Sequence, residues 1–201
     1  MKIIRVQPGD VGFTRGTGLF QQGIRYATRG PDEEPTWANH ALMFTTGGAV
    51  GPAPKRTQAT AIEALARVEE NPWYSRHSTE TGYHLMVYRP TFLSNNEKNR
   101  LVETARAHLG ERYGWWKLFA HLIDRVAFDD RKVISNVLHV DDRPICSYLV
   151  ARAYEVAGHP HAFGPIKAGA QDPDEMHDHV DDATWLSSPS WNYVGEFEVG
   201  E

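Results

Sequence analysis

A chain of 201 residues, 41% hydrophobic and 23% charged, is sized for one domain, residues 1–201, that buries a substantial core. Its net charge of −5, with no basic cluster, argues against nucleic acid as a partner, and one cysteine excludes an internal disulfide. No run of about 18 apolar residues occurs and the apolar stretch before Pro8 is too short for a secretory signal, so a soluble, cytoplasmic protein without membrane insertion is expected.

IIRV (3–6), closed by Pro8, Gly9 and Asp10, predicts a short strand and turn, and VGFTR (11–15) a second strand. Leu19, Ile24 and Ala27 predict a short helix over 18–28, followed by a polar, proline-rich loop at 30–37. NHALMFTTGG (39–48) reads as a strand with His40, Leu42 and Phe44 on one face and Ala41 and Met43 on the other. Gly47-Gly48 and 51–54 mark a turn. Strands are next expected at ATAIEAL (59–65) and HLMVYRP (84–90), with a loop through Asn71-Pro72 between them.

From Ser94 the period changes to 3.6. Residues 94–110 predict a helix opened by a Ser94/Glu97 capping box and closed by Gly110 at C′, with Leu101, Ala105 and Leu109 as the buried stripe. A second helical stretch covers 115–128, and a third runs from about residue 145 to Gly158. The tail from Gly158 onward is rich in Gly, Pro, His and Asp, and a last strand is expected at NYVGEFEV (192–199). Strands dominate one half and helices the other, which is an α+β pattern.

The lone Cys146 sits just after Pro144, in the first turn of that third helix. There the helix dipole and unpaired backbone N–H groups favour a thiolate and, later, an oxyanion. Cys146 also shares a face with Leu149, Val150, Ala153 and Ala157, where a free cysteine serves as a small core hydrophobe. Of ten histidines, His40 is singled out as a base because it begins a strand whose same-face residues are large and apolar. The plainer alternative is a satisfied histidine at a sheet edge. Glu63, inside the otherwise apolar ATAIEAL, either orients an imidazole as the third member of a triad or marks the solvent face of an edge strand.

NHALMF, AIEALARVEENPW, LGERYGW and ICSYLVARAYEVAG occur in an order that resembles the circularly permuted NlpC/P60-like proteins, the YiiX-like branch of the papain-like cysteine hydrolases. PGDVGFTRGTGLFQQGIRYAT and SSPSWNYV extend the resemblance over nearly the whole chain. It implies a permuted papain-like fold: an antiparallel sheet or half-barrel packed on a few helices, with the nucleophile at a helix N-terminus. It further implies Cys146 as nucleophile, His40 as general base and then acid, and Glu63 as the family's carboxylate. Tyr113 matches the site-lining tyrosine, although Gly114 stands where the branch commonly has Asp. Ser147 matches a residue that packs or caps. Trp37 and Trp115 are candidate walls of a substrate groove, and core packing is the alternative for both.

The implied activity is acyl transfer on an amide or peptide bond, with no cofactor. Two rivals keep the fold: a structural component of a phage tail or similar particle, and a lipid-directed acyltransferase or thioesterase. Four histidines in HPHAF (159–163) and DEMHDHVDD (174–182) could meet a metal if the second segment were extended, with His177 and His179 on one side. Without HExxH or CxxC, a solvated acidic loop is the expectation there. GTGLFQQG lacks the Lys-Ser/Thr of a phosphate loop.

Overall fold

Strand β2 (Val11–Arg15) is buried almost throughout, as is β3 (His40–Phe44), because both lie inside a sheet covered on its two faces. The computed structural model describes residues 3–16, 37–51, 58–73, 77, 82–112 and 145–199. Besides β1 (Ile4–Val6), the strands are β4 (Gly48–Val50), β5 (Thr60–Ala64), β6 (Val68–Pro72), β7 (His84–Pro90) and β8 (Trp191–Glu198). Six of them form an antiparallel sheet in the order β6-β5-β3-β2-β7-β8, and β1 pairs with β4 in a separate two-stranded sheet. Three helices complete the described α+β fold: α1 (Asn95–Arg106), α2 (Cys146–Ala157) and α3 (Pro173–Thr184).

The two-residue period of the strands sorts their side chains into two cores. Phe13, Met43, Ile62 and Tyr88 pack with Leu101, Leu149, Tyr154 and Val180 of the helices. On the other face Leu42, Phe44, Leu85 and Val87 meet Ile4, Val6 and Val50 of the small sheet, with Trp73 and Phe197. Asp10, 1% exposed, ties the β1–β2 turn to β7 through two Arg89 hydrogen bonds of 2.9 and 2.7 Å. The Tyr154 hydroxyl donates to the Gly9 carbonyl at 2.6 Å and so anchors α2 to the same turn.

Several sequence expectations need correction. Gly48 starts β4 rather than finishing a turn, because Gly48–Val50 finds its partner in β1. The expected loop through Asn71-Pro72 is the end of β6, an outer strand on which proline's missing N–H leaves no gap in the ladder. The capping box of α1 is present, but the helix stops at Arg106 with Ala107 as C-cap. Turns carry the chain on to Gly110 (φ +83), so Leu109 swings outward and is 44% exposed, while Val102 joins Leu101 and Ala105 in the core.

The expected acidic loop is helix α3, opened by an Asp172/Glu175 capping box and Pro173 in its first turn. Met176, Val180 and Ala183 form its buried stripe. The helix candidates at 18–28 and 115–128, together with Tyr113 and Trp115, lie outside the described residues. Among those described, no helix is long and apolar enough to cross a membrane.

Gly158 closes α2 in the left-handed region, at φ +107, and a Cβ there would have no atom within 4 Å. Gly158→Ala therefore isolates backbone strain from steric clash. It should cost about 1 kcal/mol in urea denaturation and leave the reactivity of Cys146 unchanged.

Candidate functional site

Helix α2 has no side-chain N-cap: Ile145 takes the cap position in extended conformation, and Cys146 is the first helical residue. Its first turn is held instead by Ser147, whose hydroxyl donates to the Gln171 carbonyl at 2.7 Å. Ser147 thus packs and anchors, the role that the resemblance implies for it. The Cys146 sulfur is buried, with the residue 4% exposed, and hydrogen-bonds the His40 side chain. Backbone N–H groups of Ala41 and Ser147 also point at it.

His40 opens β3, an interior strand between β2 and β5, so it is not at a sheet edge. Its Nε2 lies 2.9 Å from Oε2 of Glu63 on β5. Glu63 is 2% exposed: β6 covers the strand that the sequence alone allowed to be an edge. The other Glu63 oxygen, Oε1, lies 2.9 Å from Nε2 of His77. His77 is 3% exposed and stacks on Tyr83 with ring centroids 4.7 Å apart.

The electrostatics follow from this chain of contacts. Burial alone would favour neutral forms throughout. For Cys146, burial pushes the thiol up. The His40 charge, its hydrogen bond and the two backbone N–H groups outweigh that, so the thiol falls below its ordinary value. For His40, burial pulls the imidazole down, but the thiolate and then Glu63 raise it to about 10. Glu63 is likewise pushed up by burial and brought well below the usual carboxylate range by His40 and His77. The favoured state is a thiolate–imidazolium pair backed by a carboxylate. An ionised carboxylate only accepts, so Nε2 of both histidines must carry a proton, which leaves Nδ1 of His40 for the sulfur.

The sequence-predicted residues Cys146, His40 and Glu63 are thus brought together. Trp37 is not part of this chain of contacts. Its ring stacks on His177 at 4.9 Å, meets His84 edge-on at 5.1 Å, and has the Arg15 guanidinium carbon 5.8 Å from its centroid. Sequence reasoning missed His77, whose partnership with Glu63 is purely tertiary and follows no local period.

A second polar cluster surrounds His177. The Tyr88 hydroxyl donates to Asp181 at 2.9 Å and lies 3.3 Å from Nε2 of His177, while Nδ1 is 3.2 Å from Asp178. Ligand atoms of Asp174, His177 and Asp178 lie within 4.8 Å of one another and are the described residues whose donors could share a metal. Both His177 nitrogens already face protein groups. The extended backbone that would let His177 and His179 share a metal is not present: residues two apart on a helix diverge, and His179 does not join the set.

No family model matches the sequence, and no curated protein sequence does. Among solved structures the chain is similar to the metalloprotein YiiX from Escherichia coli O157:H7, with a TM-score of 0.46 and 18% identity over 94% of this chain and 87% of that one.

Proposed function

We propose that this protein is a cysteine hydrolase that cleaves an amide or peptide bond through an acyl-enzyme, with Cys146, His40 and Glu63 as its catalytic triad. One observation carries the reading: a buried thiol in the first turn of a helix hydrogen-bonds an imidazole whose other nitrogen rests on a buried carboxylate. A core cysteine needs none of these partners, and each of them favours the thiolate. The order of the segments, histidine strand before cysteine helix, is that of the permuted papain-like fold which the sequence resembles.

In the reaction the Cys146 thiolate attacks the carbonyl carbon, and the electron pair of the C=O bond moves onto oxygen. Backbone N–H groups of the first turn of α2 stabilise that oxyanion. The oxyanion collapses, the C–N bond breaks, and Nδ1–H of the His40 imidazolium gives its proton to the departing amine. A water molecule then loses a proton to Nδ1 as its oxygen attacks the thioester, releasing the carboxylic acid and returning the thiolate–imidazolium pair. Glu63 keeps the ring oriented and its positive charge compensated throughout.

The test is a panel of chromogenic peptide anilides, esters and thioesters, with mass spectrometry to trap an acyl adduct on Cys146. Wild-type protein should release the leaving group from an anilide and carry the acyl mass on Cys146, and Cys146→Ala should do neither. Equal turnover by the two proteins would overturn the reading. Turnover confined to long-chain thioesters would replace the amidase with a lipid-directed enzyme.

A further inference from the structure

Glu63 poses a problem that the triad alone does not solve. Its carboxylate is ionised and 2% exposed, and an ionised carboxylate taken from water costs several kcal/mol unless both oxygens find donors. His40 satisfies Oε2 at 2.9 Å. The donor to Oε1 is His77 at 2.9 Å, from a residue that is itself 3% exposed. Stacking on Tyr83 at 18° between ring planes, and contact with Trp73 at a centroid distance of 5.6 Å, restrict how the His77 ring can turn. The imidazole is therefore a donor fixed in place before any substrate binds.

We propose that His77 is a positioning residue for the Cys146–His40–Glu63 triad, holding Oε1 of Glu63 so that Oε2 stays aimed at Nε2 of His40. The inference rests on the hydrolase reading above. Without that donor, no described residue would hydrogen-bond Oε1, and the carboxylate would turn toward another donor or take up a proton. Either response weakens its support of the His40 imidazolium, and the thiolate of Cys146 loses its counter-charge. Among the described residues, the titratable groups facing this cluster are Cys146 from α2, Glu69 at the position on β6 paired with Glu63, and Tyr83 against the His77 ring. Glu69 is engaged by Asn71 at 3.2 Å.

Two substitutions separate the donor from the ring. His77→Phe keeps an aromatic ring against Tyr83 and Trp73 but removes the N–H. His77→Gln keeps an N–H donor at similar reach and loses the stacking. The measurement is the rate of Cys146 alkylation by iodoacetamide against pH, with thermal melting run in parallel. The midpoint should move upward by about one pH unit or more in His77→Phe. His77→Gln should return most of that shift even where its melting temperature is the lower of the two. A merely structural residue would order the variants by melting temperature and leave the midpoint in place.

His40→Ala is the control for the reading beneath. If its midpoint coincides with that of the wild type, the hydrolase assignment itself fails. If it shifts while His77→Phe overlays the wild type, only the role of His77 is overturned. Should His77→Phe fail to fold, imidazole nitrogen NMR of the wild-type protein decides. A proton on Nε2 of His77 supports the proposal, and a neutral ring carrying its proton on Nδ1 rejects it.

Discussion

With alanine at position 40, the midpoint of Cys146 alkylation should rise from below the ordinary thiol value of 9.0 to at or above it. The sulfur is buried, and burial is the largest influence on it. It drives the thiol up once the imidazolium that opposes it is gone. The two backbone N–H groups remain, but they do not replace a full charge. The midpoint is a cleaner readout than the rate, since a thiolate of higher pKa is also the stronger nucleophile and part of the rate difference cancels. Hydrolysis of any substrate found for the wild type should fall by at least about a hundredfold, the usual loss when a general base is removed. An unmoved midpoint would return Cys146 to the role of a packing residue.

The same pair shapes stability. His40 rises from 6.5 to about 10 on folding, so its contribution is complete below pH 6.5 and lost as pH climbs through 10. Cys146 moves the other way: its contribution is complete above 9.0 and lost as pH falls through the lowered folded value. Between 6.5 and 9.0 the two trends offset, because folding there only shifts one proton from sulfur to imidazole. Melting temperature should be flat across that window and decline on either side, and His40→Ala should remove the decline that the pair contributes below 6.5, so that the flat region extends toward acid.

Glu63→Ala should be the most destabilising single change at the site, by roughly 3–5 kcal/mol, as for other buried charge networks that lose one partner. It leaves the imidazoles of His40 and His77 facing an empty space in the sheet, each without the acceptor now 2.9 Å away. Urea denaturation measures the loss, and a cost under about 1 kcal/mol would mean that solvent already screens the group. Glu63→Gln isolates charge from volume. On folding, the Glu63 carboxyl drops well below its reference value of 4.5, so the unfolded chain binds the extra proton in acid. Its stabilisation is therefore complete above pH 4.5 and drains away as pH falls through the folded value. Wild-type melting temperature should decline steeply below pH 4.5, and Glu63→Gln should decline less. Parallel acid limbs would show that other carboxylates govern acid unfolding.

Local chemistry was enough to identify most of the described elements. Alternation over 11–15, 40–44, 60–64 and 84–90, the Ser94/Glu97 capping box, and Gly158 after an apolar-faced helix are all signals carried by a few neighbouring residues, and each corresponds to an element of the fold. Cys146 at a helix start and His40 at a strand start were legible for the same reason. Density of charge masks a cap at Asp172, Pro173 and Glu175: the Met176–Val180–Ala183 stripe behind it lies on a helix, although the local composition is that of an acidic loop. Leu109 shows the converse: its spacing is helical, but the chain leaves the helix at Arg106 and the side chain follows it outward.

Tertiary structure decided the rest, because burial and charge pairing belong to distant segments at once. Nothing within ATAIEAL tells whether Glu63 faces water. Pairing of β6 along its strand and the approach of His40 and His77 make it a buried, doubly bonded carboxylate. The low-dielectric setting that turns an ordinary thiol and an ordinary imidazole into a charged pair exists only once residues 40, 63, 77 and 146 have been folded against one another.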